Sequence, residues 1–493
     1  MAVRQIPPEV LSQIFRHCLY PTPLEDECAV SRPMERMCMT SATLSHVCYS
    51  WREVAVNDSR LWNNLELDSN NGKADYKGRS DWDRQKKILL DCSTLCFERA
   101  KSRPLALWFE SEVYDSPFLA NLILPHSKHY RHLNLRVPLP RSFLSLAEPG
   151  AETFGQLESL IIVDLDCGIT RPALPVKAFQ FAPNLRKLSI AMKNYSPSLF
   201  TLPWGQLTHI IMADSISIIT WFVILQQCIS IQLGSFSLFR DRWPMPADLC
   251  LSLPSLVDLT IVLDQCPSTI FQVEPNIWDA MSLPALRTLR LRFLSTVDVM
   301  HAGGWATPSG KYGEILSRIE RLSVTLCKSP SLDMLLRLLR ASPGLLELDL
   351  QTHNIVELMG WLVAFPHEKL FPCLRRLTID FSELHRRHTL RAGTLCSFAV
   401  KCRDLINGKE AISPLLESII VGMENTLEIK FDDQERIFFT ILHSNGGLKE
   451  PLGVTCKVEK AANCWSRVEV DSGTTPWAEG HEILERSEEG TGW

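Results

Sequence analysis

LPSLVDLTI at Leu253–Ile261 and LPALRTLRL at Leu283–Leu291 are two copies of one pattern, Pro-x-Leu-x-x-Leu-x-Leu/Ile. In each copy, the closing alternation of apolar residues predicts a short β-strand with one buried face. The leucine upstream predicts a corner at which the chain turns into the strand, and the proline cannot extend a preceding helix. A pattern that returns after about 22 to 33 residues indicates a repeated structural unit.

The same pattern extends through most of the chain. Between the copies, helical spacing predicts connecting helices, most clearly at Ser331–Ala341 and Trp221–Cys228. One unit of this size cannot cover its own apolar face, so neighbouring units must stack. The remaining copies lie around Leu185, Leu345, Leu374 and Leu416, with weaker ones at Leu157, Leu207, Leu233 and Ile319 and the earliest at Tyr130.

A strand with a returning segment about every 25–30 residues resembles the leucine-rich-repeat family. The Asn or Cys that follows the strand in that family is mostly missing here. The resemblance implies an α/β fold with an irregular leucine-rich-repeat solenoid over residues 101–445, whose strand-lined concave face binds a target protein. A non-repetitive α/β domain is the alternative that the residues leave open.

The N-terminal region has a different, helical pattern, seen in IPPEVLSQIF at Ile6–Phe15 and in LSHVCYSWREVAVNDSRLWNNLEL at Leu44–Leu67. Apolar residues on one stripe predict an amphipathic helix that begins at Pro7–Pro8 and ends before Pro21. A second stripe predicts a second helix, followed by a turn at Asn57–Ser59. The stripes contain Val10, Leu11, Ile14, Phe15, Cys18 and Leu19, and then Leu44, Val47, Cys48, Trp51, Val54 and Ala55.

These segments, with the Arg-Leu-Trp that closes them, resemble the F-box in the form common in basidiomycete fungal proteins. The resemblance implies a three-helix F-box over residues 1–68, with an insert at 24–43, that binds the Skp adaptor of a cullin-based ubiquitin ligase. An ordinary helical hairpin packed on the rest of the chain is the alternative. The adaptor-facing residues that the resemblance implies are Ile6, Pro7, Pro8, Leu11, Ile14 and Phe15, with Val47 and Trp51 holding the module together or completing the contact.

Residues 69–100 are predicted to connect the two regions. Polar residues at Lys73–Arg84 predict an exposed linker, and the apolar spacing in Gln85–Ala100 predicts a helix. The packing face of that helix is predicted to contain Ile88, Leu89, Cys92, Leu95 and Cys96.

The remaining segments are predicted to be loops, a cap and a tail. Met300–Tyr312 and His385–Gly393 are predicted to be loops, and the strands at Leu427–Phe431 and Ile437–Leu442 to cap the array. Residues 446–493 then contain a remnant of the cap and, from about Ala461, a disordered acidic tail.

Charge and cysteine content restrict the function classes. The net charge of −5 equals that of Ser466–Trp493, which has seven acids and two arginines, so the remainder lacks the basic footprint of a nucleic-acid-binding protein. The sixteen cysteines form no Cys-x-x-Cys pair and predict free thiols in a reducing compartment, cytoplasmic or nuclear. Ser215–Phe239 lacks charged residues, but its glutamines and serines favour a strand, a helix and a strand over a membrane span.

No motif for catalysis is present in the sequence. It has no phosphate-binding glycine loop, no Gly-x-Ser-x-Gly and no His-Glu-x-x-His, and the spacing of His126, His129 and His132 does not bring three imidazoles together. We therefore predict no catalytic, cofactor-binding or metal-binding residues. The predicted function is a non-catalytic substrate receptor with an adaptor, a cullin and an unknown target as partners; a non-ligase interaction scaffold is the alternative.

Overall fold

A computed structural model shows a mixed α/β protein with a large parallel sheet. Contacts divide the chain into two units, Met1–Leu238 and Phe239–Trp493. The structure describes residues 6–19, 38–68, 79–111, 116–138, 154–165, 175–193, 195–239, 250–263, 277–293, 310–326, 337–352 and 373–380, and the backbone of 418–422, 426–431, 436–445, 448–461 and 464–472.

The first unit begins with helices and continues as a sheet. Its helices are α1 (Pro8–Leu19), α2 (Cys38–Val47), α3 (Tyr49–Asn57), α4 (Arg79–Ala100), α5 (Ser116–Ile123) and α6 (Ile218–Gln227), with 3₁₀ turns at Ser59–Leu61, Leu124–His129 and Trp204–Gln206. Its strands are β1 (Asn64–Asp68), β2 (Leu105–Glu110), β3 (Tyr130–Val137), β4 (Ser159–Asp164), β5 (Lys187–Ala191), β6 (His209–Ser217) and β7 (Leu233–Phe239).

Strands β1 to β6 pair in parallel in the order of the chain. The predicted alternation is confirmed, because one side of every strand is buried and the register places like residues together. One buried row runs through Leu107, Leu133, Leu160, Leu188 and Ile210. A second buried row contains Phe109, Leu135, Ile162, Ile190 and Met212.

The predicted corner residue is buried in each described copy except the one at Leu233, where Leu233 is half-buried and Ile231 fills the corner. The backbone bonds of the corners repeat. The N–H of Leu185 donates to the carbonyl of Ala182 (3.2 Å) and closes the corner. The carbonyl of Glu158 in the preceding repeat accepts the N–H groups of Arg186 (2.9 Å) and Lys187 (3.0 Å). The corner residues are Leu157, Leu185, Leu207, Ile231, Leu256, Leu286, Ile319, Leu345 and Leu374.

The second unit repeats the arrangement and ends differently. Strands β9 and β11 to β15 are parallel neighbours, β8 pairs with β10, and β15 to β19 are antiparallel. The elements are β8 (Leu251–Ser252), β9 (Asp258–Leu263), β10 (Met281–Ser282), β11 (Thr288–Phe293), α7 (Gly310–Ser317), β12 (Arg321–Leu326), β13 (Glu347–Thr352), β14 (Arg376–Asp380), β15 (Ser418–Gly422), β16 (Thr426–Phe431), β17 (Arg436–Asn445), β18 (Leu448–Ala461) and β19 (Cys464–Ser472).

The predicted packing face of α4 is wrong at three of its five positions, whereas Leu89 and Cys96 are half-buried. Ile88 and Leu95 are exposed, as is Cys92, whereas Phe97 and Ala100 are buried. The Phe97 ring lies edge-on to Tyr130, with centroids 5.9 Å apart, so a contact distant in sequence selects the buried side of the helix. The helix also begins at Arg79, inside the predicted linker.

Two segments predicted to be irregular contain regular structure in their described residues, which include 310–312 of the predicted loop Met300–Tyr312 and 464–472 of the predicted tail. Tyr312 lies in α7 and is buried, because its ring stacks on Trp278 with centroids 4.7 Å apart. The tail predicted to be disordered from Ala461 contains β19, whose alternating Val468 and Val470 suit a strand paired with β18. The predicted loop at His385–Gly393, residues 413–417 of the copy around Leu416 and residues 473–493 lie outside the described residues, whereas the strand of that copy is β15.

Two other predictions concern helices. The stretch Ser215–Phe239 contains the end of β6, then α6 and β7, as predicted. In Ser331–Ala341, residues 337–340 are helical and residues 331–336 lie outside the described part of the chain. Within the described ranges, no helix is long and apolar enough to cross a membrane.

Tyr312 provides a test of the core. No described residue hydrogen-bonds its buried hydroxyl, so Tyr312→Phe removes a desolvated polar group without breaking a bond. We expect the free energy of unfolding to be unchanged or raised by up to about 1 kcal/mol. Equilibrium urea unfolding of the full chain measures this change.

Tyr130→Phe is the matched control. Tyr130 is equally buried, but its hydroxyl donates to the carbonyl of Leu122 (3.4 Å). Removing this bond should lower the free energy of unfolding by about 1 kcal/mol. Equal losses in the two variants would show that the Tyr312 hydroxyl has a bonding partner.

Candidate protein-docking site

The first three helices form a small core, which we call the N-terminal helical module (residues 6–19 and 38–68). Helix α1 packs against α2 and α3. Leu11 and Phe15 on α1 are buried, and the Phe15 ring meets Trp51 edge-on with centroids 4.9 Å apart. Two members of the predicted α1 stripe therefore hold the module together.

The predicted second helix is two helices. Cys48 has an extended backbone (φ −157°), so α2 ends at Val47 and α3 begins at Tyr49. Arg52 supports the break, because its Nε donates to the carbonyl of Ser45 (2.8 Å) in the last turn of α2. Helix α2 itself begins at Cys38, within the predicted insert at residues 24–43.

Asp58 ties α1 to the turn after α3. Its carboxylate accepts hydrogen bonds from the Arg60 guanidinium (2.8 and 2.9 Å) and from the Ser12 hydroxyl. Partial burial would raise the pKa of Asp58, but the bonds from Arg60 and Ser12 outweigh burial and lower it to about 2. The carboxylate is therefore charged under all ordinary conditions.

Trp62 connects the module to the sheet. It is buried, its Nε1 donates to the carbonyl of Ala55 (2.7 Å), and the Arg99 guanidinium lies 4.3 Å from its ring centroid. Strand β1 follows at once and pairs with β2, so Leu65 lies beside Leu107. Backbone hydrogen bonds between β1 and β2 therefore join the regions on the two sides of the boundary that was predicted after residue 68.

The module keeps a second set of apolar side chains in solvent. Val10 and Ile14 are 45% and 42% exposed and lie one turn apart on α1, and Ile6, two residues before the helix, is 51% exposed. Val47 and Tyr49, at the junction of α2 and α3, are 56% and 76% exposed. We call these five residues the docking patch, because exposed apolar groups on one small module are candidates for an interaction site.

The residues predicted to face an adaptor form two groups in the structure, one exposed and one at least partly buried. Ile6, Pro7, Pro8, Ile14 and Val47 are exposed and available to a partner. In contrast, Leu11 and Phe15 are buried inside the module, and Trp51 is half-buried against Phe15.

Two patch residues were missing from the predicted set. Val10 could have been found, because it lies one turn before Ile14 on α1. Tyr49 could not have been found, because its exposure depends on the helix break at Cys48.

The histidines that were predicted not to form a metal site are separated by secondary structure. His126 and His129 lie in the 3₁₀ turn, and the His126 ring packs on Phe97 at a centroid distance of 4.5 Å. His132 lies on the exposed face of β3. Among the described residues, no group of His, Cys, Asp and Glu could hold a metal ion.

No protein-family model matches the sequence, and no curated protein matches it.

Asp58→Asn tests the polar link in the module. The folded pKa of about 2 lies below the ordinary 3.8, so the stabilisation is complete above about pH 4 and is lost as the pH falls through 2. At pH 7 we expect a loss of about 1–2 kcal/mol in the free energy of local unfolding, after allowance for solvent screening. Hydrogen exchange of α1 peptides against urea, at several pH values, measures it.

Asp83→Asn is the control for this change. Asp83 is exposed and pairs with Lys86 (2.7 Å) within α4, an arrangement that contributes little to stability. A loss in the Asp58 variant that was the same at pH 7 and near pH 3 would contradict the assigned role of charge.

Trp51→Ala tests the core of the module. Because Trp51 is half-buried and touches Phe15, we expect a loss of about 2–3 kcal/mol in the free energy of unfolding of the module. Tyr49→Ala, at the exposed start of the same helix, should change it by less than about 0.5 kcal/mol. The hydrogen-exchange measurement distinguishes the two, and equal effects would show that Trp51 is not a core residue.

Proposed function

We propose that the chain is the substrate-recognition subunit of a Skp–cullin–F-box ubiquitin ligase. The N-terminal helical module, acting as an F-box, docks the Skp adaptor, and the repeated sheet, acting as a leucine-rich-repeat-like solenoid, binds the target protein. One observation carries the proposal. The segments that resemble an F-box pack as a three-helix module that buries Leu11 and Phe15 and leaves Ile6, Val10 and Ile14 in solvent.

The docking patch supplies the driving force for adaptor binding. Each exposed Ile or Val that a partner covers contributes on the order of 1–2 kcal/mol through removal of apolar surface from water. Because Leu11 and Phe15 already fill the interior, the patch can bind a partner without opening the module. The exposed prolines, Pro7 and Pro8, lie at the start of the same helix.

The repeated corner bonds support a solenoid-like receptor. Seven corner carbonyls are used by the next repeat in the same way; for example, that of Arg186 accepts the N–H groups of Thr208 (2.8 Å) and His209 (3.0 Å), and that of Arg287 accepts those of Glu320 (2.9 Å) and Arg321 (3.0 Å). Stacked repeats present long, rigid surfaces for protein partners.

The proposed role requires no catalytic group on this chain. A receptor accelerates ubiquitin transfer by holding the target close to the reactive assembly, which is catalysis by proximity. We place the protein in the cytoplasm or nucleus, where exposed thiols such as Cys48 and Cys92 remain reduced.

A non-ligase interaction scaffold is the second candidate function. Strand β1 pairs with β2, and Trp62 packs beneath Arg99, so the helical module is an integral part of the first unit. In that case, the role of the module would be to stabilise the sheet, and it would not bind an adaptor. Adaptor binding distinguishes the two functions.

The test is co-purification of the full chain with the Skp adaptor. Val10→Asp combined with Ile14→Asp places two charges in the docking patch, and we expect at least a tenfold loss of captured adaptor, because interface centres tolerate unpaired charge poorly. Both residues are exposed, so the unfolding midpoint should stay unchanged.

Ile229→Asp is the matched control. Ile229 is 67% exposed but lies between α6 and β7, away from the helical module in sequence. It should leave adaptor capture intact. If the folded wild-type chain captures no adaptor, the ligase proposal is wrong and the scaffold function stands. If the Ile229 variant loses capture equally, the docking patch is assigned wrongly.

A further inference from the structure

The exposed face of the first sheet carries a row of basic side chains. His132 on β3 is the register partner of Ser159 on β4, Ser159 of Lys187 on β5, and Lys187 of His209 on β6. Successive parallel strands lie about 4.8 Å apart, so this basic row crosses about 15 Å of sheet. His132 and Lys187 are exposed, and His209 is half-buried.

Lys187 supplies the permanent positive charge of the basic row. Among the described residues, no carboxylate forms an ion pair with Lys187. Arg131 and Glu158, two charged groups that influence the pKa of His132, pair with each other (2.8 Å). In register, Ala106 on β2 is next to His132, and Ser159 lies between His132 and Lys187; neither carries a charge.

The pKa values of His132 and His209 are both lowered by their surroundings on this face of the sheet. Partial burial lowers the pKa of His132; Arg131 and Lys187 lower it further, and Glu158 opposes them. Partial burial and Lys187 likewise lower the pKa of His209. Both imidazoles are therefore neutral at pH 7, and an anion bound beside Lys187 would favour their protonation.

Two isoleucines lie beside the basic row, in a register row that also contains Asn134 and Ser189. Two residues further along their strands, Ile161 and Ile211 are half-exposed on the same face, about 7 Å from Ser159 and His209. A chain lying between the rows meets Lys187 and two titratable imidazoles on one side and two isoleucines on the other. An extended peptide whose side chains alternate between acidic and apolar matches this arrangement.

We propose that this face binds an acidic segment of a partner protein in an extended conformation. Its carboxylates contact His132, Lys187 and His209, and its apolar side chains contact Ile161 and Ile211. The identification of this partner as a ligase target rests on the proposed function, whereas the binding itself does not. Because bound carboxylates stabilise the imidazolium form, binding takes up protons and tightens as the pH falls from 7.5 to 6.

The test uses a fluorescein-labelled ten-residue peptide of alternating Glu and Leu, measured by fluorescence anisotropy with the full chain. We expect the affinity to rise at least threefold between pH 7.5 and pH 6.0 and to fall with added salt. Lys187→Glu should weaken binding at least tenfold. A peptide of alternating Gln and Leu should not bind, since it lacks the charges.

Lys177→Glu makes the same change in net charge at an exposed position before β5, outside the basic row. It should leave binding unchanged; an equal loss would show general charge attraction and overturn the proposal. Binding that appears only when the chain is shortened after Ser472 would identify its own acidic tail as the occupant, which also overturns it. Adaptor capture is measured separately, so peptide binding without capture refutes only the ligase function, and capture without peptide binding refutes only this site.

Discussion

The structure depends on one repeated interaction: at seven described corners, a backbone carbonyl accepts two N–H groups from the following repeat. The corner backbone lies beside a buried leucine such as Leu185, where an unpaired N–H would cost about 1–3 kcal/mol. Satisfying these groups fixes the register of each strand against the next. The register in turn places aliphatic residues beside one another, so the hydrogen bonds and the hydrophobic core specify the same alignment.

The same pairing attaches the N-terminal helical module to the first sheet. Strand β1 is the last element of the module and the first strand of the sheet, and Trp62 contacts both α3 and α4. The pairing of β1 and the contacts of Trp62 together hold the module in place on the sheet. For a receptor, this matters because proximity catalysis needs a defined geometry between the adaptor-binding and target-binding surfaces.

Within the module, each helix face has a separate role. Leu11 and Phe15 stabilise the interior, while Ser12, one residue along, bonds the Asp58 carboxylate that holds the turn. Ile14 and Val10 lie on the remaining apolar side and are left for a partner. On the first sheet, the strand face opposite the core carries the basic row, so both proposed sites use surfaces that the core does not need.

The sequence by itself determined the strands, the corner residues and helix α1, because alternation and helical spacing are local properties that burial of one face then preserves. It also determined that Ile14 and Phe15 share an apolar stripe, but not which of them is buried. Tertiary contacts decided that, as they decided the buried side of α4 through Phe97 and Tyr130 and the helical start of α7 through Trp278 and Tyr312. The physical reason is that a broad apolar stripe on a helix has two sides, either of which could be buried. The side that is buried is the one against which a large side chain from a distant segment packs.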